Sequence, residues 1–133
     1  TIAHLVYLPS RALDLVQAGD DAKEVVLVDV DFYTGKCYLD GKELDEKDFA
    51  FDHLSIIQES IQKIQEAIDY DPRFLYLLED EFTVDDGLAL VETLCPRKSC
   101  TSDSFLSKYG HSIEEVRFKR IPQKEVITIY RLK

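Results

Sequence analysis

Leu54, Ile57, Ile61, Ile64 and Ile68 recur at alternating intervals of three and four residues. Only an α-helix brings such positions onto one side, so the spacing predicts a helix over 54–68 with a continuous aliphatic stripe. Gln58, Glu59, Gln62, Lys63, Gln65 and Glu66 fill its other faces. Asp52 stands where an N-cap belongs. Asp71-Pro72 ends the helix, because proline disfavours helical backbone in the residue before it. The stripe is heptad-like but spans only two heptads, too short for a coiled coil on its own. It is therefore expected to form the core, packed against a sheet.

The flanking segments supply that sheet. Ile2 to Leu8 is apolar and reads as a first strand, broken by Pro9-Ser10. Ser10 caps a short helix from Arg11 to about Ala18, ended by Gly19. Glu24 to Tyr33, with Val26, Val28 and Val30 alternating, is the strongest strand signal. Thr34-Gly35-Lys36 and Asp40-Gly41 are turns flanking a return strand, Cys37 to Leu39. Arg73 to Leu78 fits a strand or a short helix equally well. Thr83-Val84-Asp85-Asp86 resembles a capping box with Asp in place of Glu, opening a second helix to about Leu94. Asp103 to Tyr109 reads as one or two helical turns closed by Gly110. A hairpin closes the sequence: Val116 and Phe118 alternate with Arg117 and Lys119, Ile121 to Lys124 turns, and Val126 to Leu132 returns. The expected architecture is α+β, an antiparallel sheet of about four to six strands with two main helices on one face. With 133 residues, no repeat and no linker, it is read as one domain, 1–133, able to fold without disulfide or metal.

Charge restricts the partners. Residues 1–95 hold 22 acids and 7 bases, a balance of −15, whereas 96–133 hold 4 acids and 9 bases, a balance of +5. The acids are densest at Asp40–Asp52 and Glu79–Asp86. Such a surface repels nucleic-acid phosphate and anionic lipid and attracts a basic partner. Three cysteines make an odd, sparse set, unlike a secreted disulfide scaffold. No apolar run approaches a membrane span, and the first ten residues carry no basic leader. A cytoplasmic protein is the expectation.

Signatures of catalysis are sparse. Glycine-rich phosphate loops, Gly-x-Ser-x-Gly and His-Glu-x-x-His are absent from the sequence. Asp29 and Asp31 alternate along a strand and, with Glu79 or Glu81, have the chemistry to hold magnesium or manganese for hydrolysis. A solvated strand face has the same pattern. Cys95, Cys100 and His111, with Cys37 as a fourth, have a permissible zinc spacing but only one histidine. Arg97 and Lys98 make Cys100 the best candidate for a reactive thiol. His4 and His53 read as structural or surface residues. Arg117, Lys119, Arg120 and Lys124, with Phe118 and Tyr130, form a basic patch with aromatics, a composition also found where single strands bind. The net acidity favours instead a contact to the protein's own acidic surface or to an acidic partner.

These features point to a binding module rather than an enzyme, of the inhibitor, immunity-protein or antitoxin kind, with no cofactor and no direct contact to nucleic acid or membrane. Its partner is expected to be a basic protein, held by Asp40, Glu43, Asp45, Glu46, Asp48 and Asp52 with Tyr33 and Tyr38 as aromatic anchors. The alternatives are a small metal-dependent hydrolase or nuclease using Asp29 and Asp31, and a structural subunit of a larger assembly.

Overall fold

A computed structural model describes residues 4–15, 26–120, 122 and 126–133. Three α-helices, α1 (His53–Ala67), α2 (Val84–Leu94) and α3 (Ser102–Tyr109), accompany five strands among these residues. β1 (Asp29–Val30), β2 (Cys37–Leu39) and β3 (Lys42–Glu43) form an antiparallel sheet in that order, and β4 (Ile113–Arg120) pairs with β5 (Val126–Leu132). The class is α+β. The strands divide between two small sheets instead of forming one.

The periodic helix forms where its stripe predicts. Ile61, Ile64 and Ile68 are buried, and Leu54 and Ile57 half-buried. Asp52 precedes it, but the Asp52 carboxylate makes no capping bond. The stripe's partner differs from expectation. Ile64 and Ile68 meet Phe74, Leu75, Val91, Leu94, Phe105 and Tyr109, so the core lies chiefly between helical segments. Phe82, Ile113 and Tyr130 bring the two-stranded sheet to its rim. The ambiguous 73–78 stretch is a 3-10 helix, Pro72–Leu77, capped by the Asp71 carboxylate, which accepts from the Arg73 N–H.

The Thr83 capping box is present: its side chain accepts from the Asp86 N–H, and the Asp86 carboxylate accepts from the Thr83 N–H. α3 is capped by Thr101 and followed by Gly110. At the β2–β3 turn, Asp40 and Gly41 both have positive φ, 52° and 82°, as a type I′ turn requires. Gln65 ties this meander to the core, donating to the carbonyls of Phe32 (2.8 Å) and Leu94 (3.1 Å).

Two strand expectations fail. Of Glu24–Tyr33, only Asp29 and Val30 are strand; 24–25 lie outside the described residues. Residues 4–8 are irregular rather than a strand, with Leu5, Val6 and Leu8 exposed; 1–3 lie outside. Propensity alone cannot make a strand: an extended segment needs a hydrogen-bonding edge beside it. The helix from Arg11 is a 3-10 helix, Ser10–Leu15, and 16–18 are outside the described residues. Among the described residues, no helix is long and apolar enough to cross a membrane.

Candidate functional site

The expected acidic face is assembled only in part. Asp40 sits in the β2–β3 turn, and Glu43 on β3 pairs with Lys36 at 3.1 Å. Asp45 and Asp48 hold each other's backbone in the capping box of a 3-10 helix, Glu46–Asp48. Glu46 and Asp52 are exposed. The carboxylates remain on the surface, but two of them also shape the turn. Tyr38 lies mid-sheet, opposite Asp29 and Glu43. Tyr33 is exposed, with the Arg97 guanidinium 4.4 Å from its ring centroid, so its face is occupied by the chain's own cation.

Sequence reasoning missed Phe51. It is 94% exposed and has a φ of 52°, in the left-handed region that favours glycine. Its ring meets His53 edge-on, with centroids 6.2 Å apart. Phe51 lies three residues after Asp48 and next to Asp52 in sequence. Only the backbone geometry reveals this exposure, because Phe-Ala-Phe in sequence reads as ordinary core.

The proposed metal pair is not formed. Asp31 lies beyond β1 and starts a turn: its carboxylate accepts from the N–H groups of Tyr33 (2.8 Å) and Thr34 (3.3 Å). Those bonds, the Tyr33 one foremost, hold its carboxyl below the usual range. Asp31 is therefore a turn former, and among the described residues no cluster of three His, Cys, Asp or Glu side chains is placed to hold a metal. The cysteines stay free. Cys37 is fully buried, which pushes its thiol pKa up. The cations expected to activate Cys100 are engaged elsewhere: Arg97 on Tyr33, and Lys98 on Asp69, which also takes Lys108 at 2.9 Å.

The C-terminal unit is the better-organised candidate. After α1, Phe82 makes a single antiparallel bridge to Tyr130 of β5; α2, α3 and the β4–β5 hairpin follow. The order is therefore α1, the Phe82 bridge, α2, α3 and the hairpin, with Phe82 set on the returning strand. The hairpin's inner half is anchored by Ile113, Ile129 and Tyr130. Its outer half is not: Arg117, Phe118, Lys119 and Arg120 are consecutive and all exposed, on both faces of the ribbon. Three residue steps carry Arg120 roughly 10 Å beyond the Arg117–Ile129 pair. Arg117 reaches the chain's own Glu81 at 2.7 Å, as the acidic-surface expectation holds. Among the described residues, neither Lys119 nor Arg120 has a carboxylate within ion-pair distance. Lys124 lies outside the described residues.

No family model and no curated protein matches this sequence. Among solved structures, the chain is similar to a MutT/nudix family protein from Enterococcus faecalis, with a TM-score of 0.54 and 19% sequence identity. The likeness is one of fold. It covers 87% of this chain but 40% of the other, so the chain spans well under half the length of that protein.

Proposed function

We propose that this chain is a nucleic-acid-binding module whose cationic hairpin grips the phosphate backbone. The observation that carries the reading is the run Arg117–Arg120, exposed on both faces of a ribbon that projects from a helix-turn-helix-like body. Net charge argued against nucleic acid. Binding, however, responds to the local field within about a Debye length of 8–10 Å, and Lys119 and Arg120 project from the packed body. The double substitution Lys119→Gln, Arg120→Gln is expected to weaken binding to labelled DNA and lower the slope of log K against log salt by about 1.5–2. Fluorescence anisotropy across a salt series reads it; an unchanged slope removes the hairpin from the interface.

A second reading keeps the acidic face as a docking surface for a basic protein, and Phe51 favours it. An aromatic ring at 94% exposure, in a segment that also holds exposed Asp45, Glu46, Asp48 and Asp52, has the composition of an anchor with a charged rim. In that case Phe51→Gly relieves the positive φ, raising thermal stability, while abolishing salt-sensitive capture of a stoichiometric partner from native lysate. Capture that survives Phe51→Gly counts against the anchor.

A further inference from the structure

We infer that the hairpin's ligand is an unpaired strand, with a base stacked on Phe118 and its phosphates at Lys119 and Arg120. This rests on the nucleic-acid reading above and narrows it. Cross-strand partners share a face of a ribbon. Phe118 lies opposite Thr128 and Arg120 opposite Val126, whereas Arg117 lies opposite Ile129 and Lys119 opposite Ile127. Near the body both faces are covered: Ile129 is buried on the second, and Tyr130, which continues the first through half-buried Thr128, is buried in the core. Towards the tip the first face opens: Phe118 is 66% exposed and Val126 is 55% exposed, with Arg120 opposite Val126, while Lys119 is exposed on the other side of the ribbon. An aromatic ring on an open sheet face, flanked by cations, offers a base its flat side and the adjoining phosphates their counter-charge.

The second helix argues against duplex as the preferred ligand. A helix-turn-helix reads the major groove with the N-terminal residues of that helix. In α3 the exposed positions are Ser102, Asp103, Ser107 and Lys108. Asp103 would face phosphate with a like charge, and the Lys108 ammonium is held by Asp69. The cationic and stacking groups thus sit on the hairpin, and the groove-reading position holds none that is free. A single strand can splay its bases and wrap a narrow ribbon; a stacked duplex cannot offer a base face to Phe118.

The full chain is titrated into fluorescently labelled oligothymidylate of about 12 nucleotides and into a duplex of similar length, at about 50 and 200 mM salt. The expected result is tighter binding of the single strand, with Phe118→Ala losing about 10-fold or more on it, Phe118→Trp restoring it, and the duplex unaffected. Phe118 is exposed, so both variants should keep the parent's melting curve. Equal or tighter duplex binding, or a Phe118→Ala that changes nothing, overturns the stacking inference while leaving the nucleic-acid reading standing. Salt-insensitive or undetectable binding to both probes overturns the two together.

Discussion

Gly87→Ala is expected to destabilise the protein by about 3 kcal/mol, although alanine is the better helix former. Gly87 is buried in the first turns of α2, where replacing glycine by alanine ordinarily gains about 1 kcal/mol. Here a Cβ would run into the Phe105 ring: it would collide with Cζ and lie 2.5 Å from Cε2 and 3.2 Å from Cε1. Phe105 is fully buried and stacked edge-on against Tyr109, with centroids 5.0 Å apart, so the ring has no free space to enter. Overpacking a closed core costs about 1–3 kcal/mol, and contact with three ring atoms places this site at the upper end, outweighing the propensity gain. Against a typical stability of about 5–15 kcal/mol, the variant keeps a weakened fold. Urea unfolding of Gly87→Ala, Phe105→Leu and the double variant forms a cycle. The double variant should recover part of the loss. Additive losses would mean that the ring is not what Gly87 accommodates.

Tyr109→Ala is expected to cost about 3–5 kcal/mol, and Tyr109→Phe about 1–2. The ring sits between Phe74 and Phe105, at 5.2 and 5.0 Å between centroids, both edge-to-face. Its hydroxyl donates to the Ile68 carbonyl, at the C-terminal end of α1. Burial, with the Asp69 charge behind it, pushes the phenol far above its ordinary range, so it remains a neutral donor at any working pH. Phenylalanine keeps both ring pairs and leaves one buried carbonyl unmatched; alanine removes the joint between α1, α3 and the 3-10 helix as well. Denaturant midpoints of the two variants separate the contributions. Equal losses would assign the whole effect to the hydrogen bond.

Local rules made much of this fold legible. The aliphatic stripe of α1, the Thr83–Asp86 capping box, the Asp40-Gly41 turn, the proline after Asp71 and the alternation in the hairpin each act within a few residues, so sequence spacing contains them. Long-range features were not legible. Glu24 to Val28 has as much strand propensity as any segment here, yet among the described residues 26–28 have no ladder partner. Asp29 and Asp31 alternate as a wet strand face does, but the chain turns at Asp31 and directs its carboxylate to the backbone. Gly87 stands in a helix against its propensity, and only the contact with Phe105 of α3 gives the reason.

The charge balance shows the same division. By itself the sequence determined the −15 and +5 halves, the helices with their caps, and the α+β class, because charge counts and short-range periodicities need no distance information. Only the tertiary structure decided which charges are spent and which are available. It paired Arg117 with Glu81, and Lys98 and Lys108 with Asp69, set Arg97 on Tyr33, and left Lys119 and Arg120 exposed beside Phe118 with no ion pair among the described residues. The physical reason is that electrostatic attraction depends on separation in space, and residues 29 to 39 positions apart, such as Asp69 with its two lysines, meet only after the core has closed.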